Sequence, residues 1–337
     1  MRVAVVGGGV AGALLAWRLR RERADVVVFA GEPVPSDASA ASGGLVRGFE
    51  TDPAAAADAA ASLAELRADD DLLEWTGYRE IGSVHLSSGV DPTASLAVVD
   101  AALPGSATVV TGAELARRFG FRDVADDTVG VVERHAGHLS PARLREHALK
   151  WSAGNGVEVR HERVAEVSAG PSVRPANGSA EGFDAVVVAA GAWTPRLVEH
   201  GGTLRTKQIQ YGLHRLELPC RSGFVDDVTG LYGRPHGDGL ALLGLGCERW
   251  DVDPAQVTPD DDLAARVADV ARRRFGLAAE PVAPERVVAS FDCYRTPAGL
   301  RLDHVGDGVF TFTGGSGGAA KTVLAASRRA ARELVGA

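Results

Sequence analysis

Residues 2–29 read RVAVVGGGVAGALLAWRLRRERADVVVF, and this stretch decides the fold. The apolar run Arg2–Val6 predicts a short strand, and residues 11–23 after it have the apolar spacing of a helix. Asp25–Phe29 is a second apolar run, which predicts a buried strand parallel to the first. The chain therefore opens with a strand–helix–strand unit, the building block of an α/β fold with a parallel sheet.

Three glycines between the first strand and the helix have the spacing G-x-G-x-x-G. Gly7 allows a tight turn, Gly9 lets a pyrophosphate approach the backbone, and Gly12 lets the helix pack closely on the strand. The first turn of the helix adds free N–H groups and the positive end of the helix dipole. In this context the motif predicts a dinucleotide site; a glycine-rich turn without a ligand is the alternative.

One feature expected of such a site is missing. The second strand of this motif usually ends in Asp or Glu, about 20 residues after the glycines, and that carboxylate binds the ribose hydroxyls. Here the position is Ala30, followed by Gly31 and Glu32. The sequence leaves two alternatives open: Glu32 reaches the ribose from the loop, or other residues hold it.

The composition is that of an ordinary globular protein. The 337 residues are 45% hydrophobic and 24% charged, which suits about two domains with sizeable cores. The net charge is −8 and the basic residues are dispersed, which argues against nucleic-acid binding. No apolar run approaches the ~20 residues that span a bilayer, and the N-terminus lacks the pattern of a secretory signal. These features predict a cytoplasmic protein that does not enter a membrane, and they leave the oligomeric state open.

The three cysteines, Cys220, Cys247 and Cys293, form no CxxC pair and no Cys/His cluster. A disulfide framework and a structural zinc site are therefore not expected. The acidic runs at 69–71 and 260–262 are interpreted as helix starts or solvated charges, so no metal site is predicted.

Further α/β elements lie in the middle and at the end of the chain. Ser140 and Pro141 begin a helix as N-cap and N1 residues. A buried strand within 183–193 ends in small residues, and the strand Gly308–Thr313 enters the run Gly314–Lys321 before a C-terminal helix. The sequence predicts a discontinuous nucleotide domain made of residues 1–50, 135–200 and 300–337.

The segments between these elements have the pattern of a second domain. Residues 77–130 alternate short strand-like runs with turns, and strand-like runs return over 204–250 and 285–296 around an amphipathic helix at 260–275. An Ala-rich helix is predicted over 53–71. The predicted substrate or cap domain comprises residues 51–134 and 201–299.

These elements, in this order, resemble the D-amino-acid-oxidase superfamily of flavoproteins, which includes glycine oxidase and sarcosine oxidase. Four stretches carry the resemblance: VAVVGGGVAGALLAWRL (3–19), ASAASGGLVR (38–47), the run from GHLSPARLREHALKWSAGNGVEV (137–159) to FDAVVVAAGAWTPRL (183–197), and TPAGLRLDHVGDGVFTFTGGSGGAAKTVLAAS (296–327). The resemblance implies an α/β fold: a Rossmann-like FAD-binding domain of the GR2 type with an inserted antiparallel substrate domain.

The resemblance also implies a reaction. It predicts an FAD-dependent oxidoreductase that oxidises the C–N bond of a small amine or amino acid to an imine by hydride transfer to the flavin, with O2 as acceptor. A dehydrogenase with another acceptor is the alternative. A nicotinamide-dependent reductase would leave the C-terminal Gly-Ser-Gly run unexplained, and an FAD-bound protein without enzymatic activity is the third alternative.

The family's cofactor contacts carry over to glycines and small residues in four parts of this chain. The implied FAD-binding residues are Gly7, Gly9, Val10, Ala11, Gly12, Ala41, Ser42, Gly43, Gly44, Val164, Ala190, Gly191, Trp193, Gly315, Ser316, Gly317, Gly318 and Lys321.

Three side chains are predicted to act in the reaction. Arg47 follows the flavin loop and is a candidate source of positive potential, with a structural salt bridge as the alternative. Arg295 is the candidate anchor for a substrate carboxylate, because a planar guanidinium matches it bidentately. Its alternative is a structural pair with Asp292 or Asp303. Tyr294 is a candidate hydroxyl over the flavin.

The chain departs from the family's pattern at two further places. The family's usual arginine before the Thr-Pro pair is Cys293, and the oxygen-promoting lysine of the sarcosine-oxidase branch falls in the apolar run 240–243. Some relatives attach FAD through a cysteine, but aligning the Thr-Pro pair puts that position at Phe291. A two-residue offset moves a strand side chain by about 6.6–6.8 Å. Non-covalent FAD is therefore predicted.

Overall fold

The structure is a computed structural model that describes residues 1–32, 34, 37–277 and 283–336. The strands are β1 (Arg2–Val6), β2 (Asp25–Phe29), β3 (Leu45–Val46), β4 (Arg79–Glu80), β5 (Ser83–Ser88), β6 (Ala107–Thr111), β7 (Thr128–Glu133), β8 (Gly137–His138), β9 (Glu158–Arg160), β10 (Val164–Ser168), β11 (Ser172–Pro175), β12 (Glu181–Gly182), β13 (Ala185–Val188), β14 (Leu204–Arg215), β15 (Gly223–Asp226), β16 (Leu231–Gly237), β17 (Leu240–Gly244), β18 (Pro284–Arg295), β19 (Arg301–Gly306) and β20 (Val309–Thr313). The α-helices are α1 (Val10–Arg21), α2 (Pro53–Arg67), α3 (Asp70–Thr76), α4 (Thr93–Ala102), α5 (Gly112–Phe119), α6 (Pro141–Gly154), α7 (Asp261–Phe275) and α8 (Ala319–Gly336).

A six-stranded sheet in the order β19-β20-β13-β1-β2-β9 forms the first layer. Its strands are parallel except for β19, which pairs antiparallel with β20 at one edge. Both β1 and β13 are buried along almost their whole length, because α1 and α8 cover one face and the β10–β12 sheet covers the other. The predicted strands Arg2–Val6 and Asp25–Phe29 have the predicted bounds.

An eight-stranded sheet in the order β18-β14-β17-β16-β15-β5-β7-β6 forms the second layer. Its pairs are antiparallel except for β15 and β5, which run parallel. One face packs on α7 and α5 through a core that includes Phe121, Phe224 and Phe275. Alternate side chains such as Leu242 point to the other face, toward the six-stranded sheet.

The helices α2 and α3 pack mostly beneath the six-stranded sheet, and Ala60 of α2 also shares a small core with Val131 of β7. Leu63, Leu66 and Leu72 share the core that α1 and α8 form beneath the six-stranded sheet. Residues 51–134 were predicted to belong to the substrate domain, but the part of them that forms α2 and α3 packs with the six-stranded sheet of the predicted nucleotide domain. The cause is apolar burial, since these helices cover α8.

Two elements within residues 77–130 differ from the prediction of strands and turns. The helix α4 lies between β5 and β6, and α5 lies between β6 and β7. Thr111 and Glu114 form a capping box at the start of α5, and Gly120 ends the helix in a left-handed conformation. None of the described helices has the length and apolar character needed to cross a membrane.

Candidate functional site

A cavity of about 1250 Å³ lies between the two sheets. Its walls come from the loop after β1, the small-residue loop before β3, the turn after β13 and the loop that leads into α8. The opposite wall consists of β14, β16, β17 and β18. Such a space, with parallel strands ending at its edge, is where ligands bind in α/β sheets.

The loop between β1 and α1 fits a pyrophosphate. A Cβ on Gly12 would lie 2.0 Å from the carbonyl oxygen of Gly7, so only glycine allows this close packing. A Cβ on Gly9 would meet nothing closer than Ser39 Oγ at 3.6 Å, because Gly9 faces the cavity. Gly9 caps α1 without a side-chain hydrogen bond, and the Val10 N–H donates to Ser39 Oγ at 3.0 Å. The first turn of α1 therefore offers backbone donors to an anion.

The small-residue loop lies against the eight-stranded sheet. A Cβ on Gly44 would lie 1.9 Å from the carbonyl oxygen of Leu139, and one on Gly43 would lie 3.4 Å from Leu242 Cδ1. Arg234 Nε donates to the Gly43 carbonyl oxygen at 3.0 Å, although this guanidinium is buried. Burial lowers the pKa of Arg234. The loop is thus held between the segment before α6 and the eight-stranded sheet, and its small residues line the cavity.

The loop into α8 carries a buried carboxylate at the cavity wall. Asp292 Oδ2 accepts a hydrogen bond from the Gly317 N–H at 2.9 Å, and Oδ1 accepts one from the Cys293 N–H at 2.7 Å. Burial raises the pKa of Asp292 to about 6, although these two hydrogen bonds act to lower it. Ser316 Oγ accepts from the Arg295 N–H at 3.1 Å, which ties the loop to β18. These hydrogen bonds attach the loop to β18 of the eight-stranded sheet at two points.

An ionic cluster closes one end of the cavity. Arg47 Nη2 lies 3.0 Å and Lys321 Nζ lies 2.5 Å from Glu50 Oε1. Burial and the neighbouring Arg47 lower the pKa of Lys321 to about 8, although Glu50 and Asp227 partly offset them. Burial would raise the pKa of Glu50, but Arg47 and Lys321 outweigh it and hold that pKa below its usual range. Glu50 is therefore ionised at neutral pH.

A second buried acid orders the segment that carries this cluster. Glu133 accepts hydrogen bonds from the N–H groups of Gly48 at 2.9 Å and Phe49 at 3.1 Å, and from Ser83 Oγ at 3.3 Å. Arg47 Nε donates to the Phe49 carbonyl oxygen at 3.0 Å. The turn from Arg47 to Glu50 is thus held by the β7 side of the eight-stranded sheet.

The side chain of Arg295 lies outside the described lining of the cavity. Its guanidinium forms an ion pair with Asp303, and its side chain is 6% exposed. Arg295 does not figure among the described residues that line the cavity. The structure therefore pairs Arg295 with Asp303, one of the two acids that the sequence left open. The candidate Arg47 lines the cavity, as do other cations such as Lys321 and Lys207. Tyr294 does line the cavity, with its ring centroid 5.2 Å from that of Trp250.

Replacing Arg295 distinguishes a structural role of this side chain from a role in substrate binding. We expect Arg295→Ala to lower the free energy of unfolding by about 1–3 kcal/mol, because Asp303 loses its buried partner. We expect KM to change by less than about twofold, since no substrate contact is removed. Denaturant unfolding and steady-state kinetics on the same preparation measure both. A large rise in KM at unchanged stability would return Arg295 to the substrate site.

Ala30 and the loop after it also line the cavity. Glu32 is part of this lining, and so are Val164 on β10 and the ion pair between Asp37 Oδ2 and Arg145 Nη1, at 2.6 Å. Both alternatives for the ribose thus have a polar group at the cavity: Glu32 on the loop, and Asp37 and Arg145 as other residues.

Most of the residues proposed for the cofactor come together in this cavity. The predicted residues that line it are Gly7, Gly9, Val10, Ala11, Ala41, Ser42, Gly43, Gly44, Arg47, Val164, Ala190, Gly191, Trp193, Tyr294, Gly315, Ser316, Gly317 and Lys321. Gly12, Gly318 and Arg295 are absent from the described lining. Glu50, Glu133, Lys207, Asp292 and Arg234 were missed, because their relation to the cavity depends on contacts between distant segments.

The sequence model of a family described as FAD-dependent oxidoreductase (DAO) matches residues 2–333. The chain belongs to this DAO family. The chain is therefore an FAD-dependent oxidoreductase. The glycine loops and the start of α1 fit that cofactor, because a side chain on Gly9 would occupy the space in which a pyrophosphate would approach the backbone N–H groups.

Solved structures of other proteins share the fold. L-proline dehydrogenase from P. horikoshii superposes with a TM-score of 0.83 at 14% identity, covering 99% of this chain and 93% of that one. Glycine oxidase from Bacillus cereus ATCC 14579 gives 0.76 at 17% identity, covering 99% and 95%. Amadoriase I from Aspergillus fumigatus, a fructosyl amine:oxygen oxidoreductase, gives 0.73 at 16%, covering 99% and 86%. No curated protein matches the sequence. At these identities the likeness shows the fold alone.

Proposed function

We propose that this DAO-family chain oxidises the C–N bond of a small amine or amino acid to an imine, with O2 as the electron acceptor. The observation that carries the proposal is the single cavity shared by the glycine loops of the six-stranded sheet and the aromatic wall of the eight-stranded sheet. FAD, when bound, accepts the hydride from the carbon that bears the nitrogen. The protein's part is then to hold the amine against the flavin and exclude water.

The substrate-side wall has the chemistry for such a role. Tyr211, Tyr232 and Tyr294 all line the cavity. The hydroxyl of Tyr232 donates to the Gln210 carbonyl oxygen at 3.1 Å, and burial raises its pKa beyond the physiological range. These neutral rings provide packing and hydroxyl groups without a charge. Arg47 and Lys321 line the cavity near the small-residue loop, where Glu50 offsets part of their positive charge.

A dehydrogenase with another acceptor is the second candidate, and Leu242 favours it. This residue lies in the apolar run where the resemblance placed the oxygen-promoting lysine of one branch. It is fully buried and packs beside Gly43 at the cavity wall. No cation of β17 therefore reaches the flavin side at this position.

We also propose a division into two domains. The nucleotide domain comprises residues 1–50, 135–200 and 300–337 together with α2 and α3, and the substrate domain comprises the rest of 51–134 and residues 201–299. The distribution of strands between the two large sheets supports this division. The packing of α2 and α3 beneath the six-stranded sheet moves residues 53–76 to the nucleotide side.

Flavin reduction tests the proposed reaction. The yellow holoprotein is mixed without oxygen with amino acids and secondary amines, including glycine and L-proline, and with their carboxamides. Bleaching of the visible flavin band by at least one amine supports the proposal, and peroxide formed during aerobic turnover identifies O2 as acceptor. Reduction without peroxide, with turnover restored by a dye acceptor, would establish the dehydrogenase. A colourless protein would contradict both.

Acid precipitation tests the attachment of the cofactor. We expect all flavin colour to remain in the supernatant. Cys293 is 1% exposed and absent from the described cavity lining, and burial raises the pKa of its thiol to about 11. A thiol of that pKa is a poor nucleophile. A yellow pellet, with the protein mass increased by one FAD and the effect abolished in Cys293→Ser, would contradict the prediction.

A further inference from the structure

The two cations at one end of the cavity share a single acid behind the wall. Arg47 and Lys321 line the cavity, whereas Glu50 is not among its described lining residues. The same oxygen of Glu50 lies 3.0 Å from Arg47 Nη2 and 2.5 Å from Lys321 Nζ. The three side chains are between 11% and 17% exposed, so water screens these charges weakly.

Glu50 is the acid in direct contact with both cations, and other acids add weaker interactions. Asp227 interacts electrostatically with both Lys321 and Arg47, but it is half exposed and its Oδ2 lies 2.8 Å from His85 Nε2. Glu133, whose pKa burial raises, is a further acid near Arg47. A further anion at this end of the cavity would therefore meet cations whose charge is already partly offset.

We propose that Glu50 selects against substrates with a free carboxylate, so that the group placed at this end of the cavity is uncharged. A substrate carboxylate at Arg47 and Lys321 would compete with Glu50 for these cations, and displacing Glu50 would leave a buried anion without partners. An amide, an ester or an apolar group avoids this cost and packs against Leu242 and the small-residue loop. The inference rests on the proposed function for the use of this cavity by substrate.

A matched pair of probes tests the inference on the wild-type holoprotein. Benzoate and benzamide have the same shape and differ in charge, and both are titrated against the visible spectrum of the bound flavin. We expect benzamide to bind at least about tenfold more tightly, because benzoate would compete with a buried ion pair of Glu50 and benzamide would not. Equal or tighter binding of benzoate would overturn the inference. Failure of benzamide to bind would also count against it, because the inference holds that the neutral probe fits.

The variant Glu50→Gln is expected to reverse this preference. Without the buried anion, Arg47 and Lys321 become available, and benzoate should gain at least about tenfold in affinity while benzamide changes little. Glu248→Gln is the matched control, because this 78% exposed acid lies 3.7 Å from Lys207 at another part of the wall. Its benzoate affinity should stay at the wild-type value. An unchanged benzoate affinity in a folded, yellow Glu50→Gln protein would contradict the role of Glu50.

The proposed reaction and the selectivity assigned to Glu50 would be contradicted by different results. If no amine reduces the bound flavin, the proposed reaction is lost. If amino acids with a free carboxylate reduce it faster than their carboxamides at low concentration, the reaction stands and the selectivity assigned to Glu50 is overturned. The wild-type comparison needs no variant, so it stays decisive even if Glu50→Gln does not fold.

Discussion

A Gly9→Leu protein is expected to fold and to purify without colour. The added side chain enters the cavity beside the first turn of α1, where a Cβ meets nothing closer than Ser39 Oγ at 3.6 Å. The polypeptide therefore tolerates it, whereas the pyrophosphate of FAD loses its place at the backbone N–H groups. We expect FAD content to fall by at least about tenfold, as when a phosphate site is sterically filled. Absorbance of the purified protein and its thermal unfolding curve measure the two effects.

Gly154→Leu is the control for this prediction. Gly154 lies at the end of α6, where a Cβ would have no neighbour within 4 Å, and it does not line the cavity. The control should keep full FAD content. Full flavin content in folded Gly9→Leu would show that the pyrophosphate does not approach this glycine, and would move the cofactor away from α1.

Loss of the Arg274 guanidinium should destabilise the eight-stranded sheet severely. Arg274 Nε lies 2.7 Å and Nη2 3.3 Å from the carboxylate of Asp226, and their side chains are 3% and 0% exposed. Arg274 Nη1 also donates to the carbonyl oxygens of Arg122 and Asp123. Arg274→Met leaves Asp226 buried without its counter-charge. We expect a loss of about 3–5 kcal/mol in the free energy of unfolding, measured by denaturant titration.

An exposed ion pair provides the comparison. Arg205 and Asp251 also form two hydrogen bonds, but their side chains are 51% and 63% exposed. We expect Arg205→Met to lose less than about 1 kcal/mol, because water compensates exposed charges. If both variants lost the same amount, burial would not explain the role of Arg274.

Local sequence patterns were sufficient for the elements around the glycine loops. The strands β1 and β2 are short apolar runs buried on both faces, and α6 begins with Ser140 Oγ accepting the Arg143 N–H, as the N-cap pattern predicts. The prediction was less exact where a second helix start lies inside a predicted helix. The single helix predicted over 53–71 is two helices, because Asp69 caps α3 by accepting the Leu72 N–H.

The charged part of the site could not be predicted in the same way. The segment Arg47–Glu50 shows the spacing of a local ion pair, which is a recognisable signal. However, Lys321 joins that pair from the far end of the chain, and Glu133 fixes the turn from a third segment. Likewise, Arg295 had Asp292 and Asp303 as sequence neighbours, and only the three-dimensional structure shows that Asp303 on β19 is the one in contact with it.

The parallel pairing of β5 with β15 limits how early in synthesis the eight-stranded sheet can form. Ser83 is in register with Gly223, so the two inserted segments form one sheet only after the intervening nucleotide-side residues have been made. Closing so long a loop before its contacts form is slow. The six-stranded sheet likewise awaits β20, and the cavity needs the loop into α8; both are made after every strand of the eight-stranded sheet. Cofactor uptake therefore has to follow the synthesis of that loop, and a truncated chain ending before residue 313 has no complete cavity to load.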